Sequence, residues 1–385
     1  PKIRFPGFVK NWEKSNVSEL VEIRKSYSYS RNEESEYGMV SHIHYGDIHS
    51  KFNNIIDNNS KLPFLKLIEI KDLVLLEKGD IILADASEDY NGLGTTIVNL
   101  SDRKDIIGGL HTFVLRPDKE KLYSLYFLNY SKTLIYKKYM QKIGTGASVF
   151  GISKANLEKL ALLKPSLEEQ QKIGDFFMLL DKRIEQQEEK IALLKDYKKT
   201  MMQKIFSQKI RFKDENGNDY PDWEEKKLGE ICRVKSSQLT NNVVEEIGKY
   251  PVYGANSIVG YTENYEVDEY VSIVKDGAGV GRIAFINNKS SVLGTLQYLI
   301  GIEITTEFLY VLLNNVNFKL YQTGTTIPHI YFKDYSKMII DIPCQLEQEK
   351  ISSFLFAMDL NLENQEAILN NLKEQKQGLL RKMFV

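Results

Sequence analysis

Residues 165–206 recur at residues 343–384, and the two copies align without a gap at a spacing of 178 positions. Glu169 and Gln170 fall on Glu347 and Gln348, Ile173 on Ile351, Phe176 on Phe354, Asp181 on Asp359, Leu194 on Leu372 and Phe206 on Phe384. A gap-free repeat of this length implies one structural unit used twice, and every other element has to fit around it. The unit has a heptad. Its a positions are Ile173, Leu180, Gln187, Leu194 and Met201, then Ile351, Met358, Gln365, Leu372 and Leu379; its d positions include Phe177, Ile184 and Ile191, then Leu355, Leu362 and Leu369. Apolar a and d residues flanked by Glu and Lys form a coiled-coil seam. Each copy follows a proline, where a helix can begin but through which it cannot extend backwards. Two long spacer helices are predicted, at 165–208 and 343–385.

Both copies place a Gln at the third a position, Gln187 and Gln365, and a Lys at the fourth d position, Lys198 and Lys376. A polar residue in an apolar seam costs stability and can fix register. If the helices pair antiparallel about a pseudo-dyad, its midpoint falls near Glu189 and Ala367. Gln187 and Gln365 then lie close to the axis as a register-setting pair.

The segments between the helices read as two globular, β-rich blocks, 1–164 and 209–342. Each opens alike, with Ile3-Arg4-Phe5 ahead of Trp12-Glu13 and Ile210-Arg211-Phe212 ahead of Trp223-Glu224. In the first block, strands are predicted around 37–44, 80–84, 95–99, 110–115 and 152–164, with a helix over 124–143. In the second, strands are predicted around 250–254, 270–274, 282–286 and 291–294, with a helix over 306–322. The fold class is α+β: two β-rich domains separated by two repeated helices, packed as an antiparallel coiled coil with pseudo-twofold symmetry.

Catalytic signatures are missing. There is no Gly-x-x-x-x-Gly-Lys-[Ser/Thr] loop. Gly277-Ala-Gly-Val-Gly281 lacks the dinucleotide-binding spacing and leads into another strand, so a tight hairpin beside a binding surface is the better reading. No Asn/Asp-Pro-Pro-aromatic tetrapeptide of an amino-methyltransferase occurs. Cys232 and Cys344 stand far apart in no ligand spacing, which fits a reducing compartment. His42, His44 and His49 cluster, and the choices are a metal site, contact with a polar partner such as DNA, or surface and capping roles. His111 is expected in the core. There is no apolar run of spanning length, so no membrane is expected and a cytoplasmic location is. A formal net charge of −1 means that any nucleic-acid affinity must come from locally concentrated basic residues.

Two loops just ahead of the long helices combine Gly with hydroxyl side chains: 144–148, and 324–328. Small residues let backbone N–H groups approach phosphates, and hydroxyls and lysines add donors. The candidate DNA-binding residues are Thr145, Ser148 and Lys154 in the first block, and Thr325, Thr326, His329 and Tyr331 in the second. Lys275 and Arg282 flank the Gly-rich hairpin as further candidates. No cofactor or metal is expected on this chain.

The twice-used Pro-x-x-x-Glu-Gln-x-Lys-Ile-x-x-Phe stretch, the Asp181 and Asp359 helices, the Gly-Thr loops and the Trp-Glu openings together resemble the specificity subunit of type I restriction–modification systems. The resemblance covers essentially the whole chain. It implies a non-catalytic subunit whose two blocks are target-recognition domains, each reading one half of an asymmetric bipartite sequence in double-stranded DNA. It implies that the helices act as spacer and dock two adenine methyltransferase subunits, which restriction/translocase subunits join. AdoMet, ATP and Mg are then expected on those partners. A helix of roughly 40 residues reaches ~60 Å, enough for readers about one DNA turn (~34 Å) apart. A stand-alone DNA-binding regulator, self-associating through its helices, is the alternative; an enzyme would need a motif that is missing.

Overall fold

The repeat is carried by two helices, α1 (Leu167–Phe206) and α2 (Gln345–Met383). The computed structural model describes residues 1–52, 54–66 and 70–384. The chain divides into two units, Pro1–Glu188 with Ile368–Val385, and Glu189–Ala367. Each long helix therefore begins in one unit and ends in the other. Glu168 and Glu169 occupy the first turn of α1, and Arg381 and Lys382 the last turn of α2, as the helix dipole favours.

Within each unit the two helix segments run antiparallel. In the first, the Phe177 ring lies 6.2 Å from that of Phe384, Asp181 binds Lys376, and Glu188 lies 2.6 Å from Lys373. In the second, Lys195 meets Glu366 at 2.7 Å and Lys198 binds Asp359. Positions rise along α1 as they fall along α2. The lysines at the fourth d position are thus partnered, each by the repeated aspartate of the other helix. Ile173 and Phe177 are buried in the first unit, Ile351 and Leu355 in the second, and each such burial contributes about 1.5–3 kcal/mol.

The Glu-Gln of the repeat clamps each helix start to its block. Gln170 donates to the Lys121 and Pro165 carbonyls and accepts from the Tyr123 amide; Gln348 donates to the Pro343 carbonyl and accepts from the Thr305 amide. Buried Glu169 accepts from Arg4 at 2.9 and 2.7 Å, and buried Glu347 from Arg211 at 3.3 and 2.7 Å. The two Arg openings follow their helices alike. Lys2 and Ile3 donate to the Lys382 carbonyl, as Lys209 and Ile210 donate to that of Lys204. The Trp-Glu openings then start strands, Glu13–Asn16 and Glu224–Lys227, which pair antiparallel with the strands running into the prolines, Ala161–Lys164 and Ile339–Ile342.

Among the described residues, the first unit also holds a five-stranded sheet in the order Val21–Arg24, Thr112–Pro117, Ile81–Ala84, Thr96–Asn99, Ile55–Ile56, and a smaller four-stranded one. The second holds a six-stranded sheet in the order Cys232–Ser236, Leu296–Gly301, Val267–Val274, Ile283–Val292, Tyr250–Tyr253, Ile258–Thr262. Four sequence expectations need correcting. The strands expected around 282–286 and 291–294 are one, Ile283–Val292. The helix expected over 124–143 is two, Ser124–Tyr130 and Leu134–Ile143, because the Thr133 side chain caps the Tyr136 amide and restarts the helix. The strand expected over 152–164 opens with a helix, Lys154–Glu158, capped by Ser153. The helix expected over 306–322 ends at Asn314, and a short 3₁₀ turn, Phe318–Tyr321, follows.

The first unit carries one charge that the second does not. Lys132 Nζ lies 3.3 Å from Asp181, which Lys376 already binds, whereas the position 178 residues on is Tyr310. Burial pulls the Lys132 pKa down to about 8 from its ordinary 10.5. The unfolded chain therefore binds more protons than the folded one between those values, and stability rises with pH across that window. Lys132→Met is expected to raise the melting temperature at about pH 7, with the gain shrinking as the pH approaches the upper end of the window. Thermal melts of both proteins across that range test this.

Candidate nucleic-acid interface

In the second unit, strand Val267–Val274 is followed by Lys275 and Asp276, and the chain turns through Gly277. The loop at 323–329 packs against this turn. Thr323 and His329 exchange backbone hydrogen bonds at 2.8 Å each, Gly277 N–H donates to the Pro328 carbonyl at 2.9 Å, and Ile330 N–H donates to that of Lys275 at 2.9 Å. Gly324 is required at the loop's start. Its φ is +87°, and a Cβ would stand 2.4 Å from the Ile327 carbonyl oxygen. Thr325, Thr326 and Ile327 are exposed at the tip.

The side chains behind the tip are ordered by one another. The Asp276 carboxylate lies 2.6 Å from His329 Nδ1 and 3.8 Å from Lys275 Nζ. Tyr331 stacks nearly parallel to His329, with centroids 6.4 Å apart and planes 21° apart, and Lys333 Nζ stands 5.4 Å from the Tyr331 ring centre. Lys275, His329 and Tyr331 thus come together. Arg282 is exposed, but it donates to the Ala255 carbonyl at 3.2 Å and binds the Asn256 side chain, so it braces the neighbouring turn.

The first unit closes the same loop. Thr145 and Gly151 exchange backbone bonds at 3.1 and 2.8 Å, and they precede Thr323 and His329 by the spacing of the helices. Phe150–Gly151 pairs with Ala86–Ser87, and Ile152 N–H donates to the Asp85 carbonyl. Gly146 has φ +145°, and a Cβ there would stand 1.9 Å from the Val149 carbonyl oxygen. Ser148 is exposed at the tip. Lys154 stands outside the loop on its own helix, 3.9 Å from Glu158.

The surroundings of the two loops differ. Tyr90 stacks on Phe150 at 3.8 Å, where the second unit has Pro328. Asp85 lies 3.2 Å from His111, whose ring meets that of Tyr45 edge-on at 5.5 Å. Burial pushes the Asp85 carboxyl above its ordinary range, against the pull of His111. His111 is not a core residue. It is half exposed in the turn before Thr112–Pro117, with φ +55°. The other histidines do not converge: His42 is buried against Glu34 at 3.2 Å, His44 accepts from the Gly46 amide, and His49 is exposed. Among the described residues, no group of three or more His, Cys, Asp or Glu side chains is placed to hold a metal ion.

Residues 9–196 and 220–374 match the family described as type I restriction modification DNA specificity domain. The chain belongs to that family. It is 24% identical over 233 residues to a putative type I restriction enzyme MjaX specificity subunit of Methanocaldococcus jannaschii, covering 57% of this chain and 52% of that protein. It is 27% identical over 165 residues to the type I restriction enzyme EcoDI specificity subunit of Escherichia coli, covering 41% and 37%. These alignments thus span about half or less of those relatives' lengths. In fold it is similar to the type I restriction–modification S subunit of M. genitalium, with a TM-score of 0.65 at 19% identity, covering 100% of this chain and 99% of that one. A chain from a structure of a type I restriction–modification system, reported for its complex assembly and conformational transition, aligns with a TM-score of 0.56 at 17% identity and 98% coverage of both chains.

The description of that family is one of DNA specificity. Sequence reasoning placed the two loops but missed Asp276, Asn256, Tyr90 and Asp85. Asp276 stands 47 residues before its loop, and Tyr90 and Asp85 stand 55 and 60 before theirs, while Asn256 pairs with Arg282 beside the second loop; sheet pairing brings them in. One signal was available, since extending the 178-residue alignment upstream of the prolines sets Thr145 on Thr323 and Gly146 on Gly324. Among the described residues, no helix is long and apolar enough to cross a membrane.

Proposed function

We propose that this chain is the recognition subunit of a type I restriction–modification complex and reads a bipartite, asymmetric target, one half through each loop-bearing unit. The observation that carries this is the pair of loops at one spacing, closed by the same backbone bonds and surrounded by different side chains. A shared frame with divergent surroundings suits two readers of unlike half-sites. Thr145, Ser148, Thr325, Thr326, His329, Tyr331 and Lys275 are the side chains we assign to DNA, with Lys154 as an outlying contact in the first unit and Arg282 as a brace of the turn at Ala255 and Asn256 in the second. Gln187 and Gln365 we assign to helix register.

The exposed faces of α1 and α2 would dock two adenine methyltransferase subunits, and restriction/translocase subunits would join through them. The chain would then do no chemistry itself, with AdoMet, ATP and Mg bound by those partners. Co-expression with a methyltransferase subunit, followed by native mass spectrometry, tests the docking. One copy of this chain with two methyltransferase subunits is expected. A chain that ignores the methyltransferase yet binds DNA tightly alone, with a steep salt dependence, would favour the self-associating regulator.

A further inference from the structure

We infer that Asp276 and His329 form a base-reading pair specific to the second half-site, with His329 Nε2 accepting a hydrogen bond from an exocyclic amino group of adenine or cytosine in the major groove. The inference rests on the reading of the second unit as a DNA reader. His329 stands on the closing rung of the loop, where its backbone pairs with both Thr323 and Asp276. The ring is a third exposed, and the Asp276 carboxylate fixes it from 2.6 Å. In the neutral ring, the carboxylate at that distance accepts the hydrogen bond of Nδ1–H, which leaves Nε2 as the acceptor. A phosphate offers no donor to an acceptor, and the Asp276 charge repels it. The base amino groups that face the major groove are donors.

Tyr331 and Lys333 extend the same surface. The near-parallel Tyr331 ring is half exposed, and Lys333 lies over it, a placement suited to flanking the duplex backbone while the imidazole meets a base edge. On the corresponding rung of the first unit Gly151 faces Ala86, so no such pair stands on that loop, and the Asp85–His111 pair there, at 3.2 Å, joins residues off the loop. The contact therefore belongs to one half-site only. Asp276 acts through His329 and is a positioning residue.

The test uses the full chain assembled with a methyltransferase subunit, and maps methylated adenines genome-wide for the parent, His329→Ala and Asp276→Ala. The expected result is that base preference relaxes at one position of the second half-site by roughly tenfold, the order of one good base-edge contact. The first half-site stays unchanged, as an internal control for assembly. If His329→Ala fails to assemble, His329→Gln keeps an acceptor, and it should retain part of the preference at that same position. An unchanged motif in the variants would overturn the inference. So would an even loss of methylation with preferences intact, or relaxation in both halves. A parent complex with no two-part motif would remove the reading beneath it as well.

Discussion

Arg211→Ala is expected to lower the stability of the second unit by about 3 kcal/mol, the lower end of the range for orphaning a buried charge. Glu347 is fully buried and accepts from Arg211 Nη2 at 2.7 Å and from Trp223 Nε1 at 3.0 Å. With the guanidinium gone, the indole alone faces the carboxylate. Replacing both partners by apolar residues, as in Arg211→Met with Glu347→Leu, should recover most of the loss, since breaking a buried pair costs more than never having it. Denaturant titration of the two variants checks this. A single substitution as mild as the double would mean that water already reaches Glu347. In the first unit Glu169 has Arg4 but no indole, and Trp12 Nε1 is buried without a hydrogen-bond partner.

The second large effect is expected at the loop glycines. Gly146→Ala and Gly324→Ala each drive a Cβ into a carbonyl oxygen of their own loop, at 1.9 and 2.4 Å, from a φ that L-residues rarely adopt. The backbone has to move, and the tip residues move with it. Methylation of the cognate target is expected to fall by ~10³-fold, toward the level set by non-specific binding. Far-ultraviolet circular dichroism and assembly with the methyltransferase should be retained. Gly277→Ala is the informative control. It has a positive φ of +94° but nothing within 4 Å of a Cβ, so it should cost only about 1 kcal/mol of strain. Equal losses from all three substitutions would show that strain, rather than loop position, governs recognition.

Most of the helical architecture was legible in the sequence, because a gap-free repeat with a heptad allows few arrangements. The helix starts were marked by Pro165 and Pro343, and the Glu-Gln that follows each proline turned out to be the clamp onto the block. The seam lysines were not legible. Lys198 and Lys376 look like defects until each meets Asp359 or Asp181, residues that sit at the same repeat position on the opposite helix. Two of the misread segments share one cause: Thr133 and Ser153 cap helices inside stretches whose hydrophobicity alone reads as continuous. The loops could be placed because Gly and Thr recur at one spacing. The chemistry around them could not, because Asp276 reaches His329, and Asp85 reaches His111, only through the sheets.

The central claim is that one chain reads two unlike half-sites. The most direct measurement is a map of methylated adenines in cells expressing the chain with a methyltransferase subunit. The account predicts a two-part motif with unlike halves, a fixed gap of unread base pairs, and one modified adenine in each half on opposite strands. A single contiguous motif, or methylation that does not change when residues 209–342 are exchanged for another sequence, would contradict it.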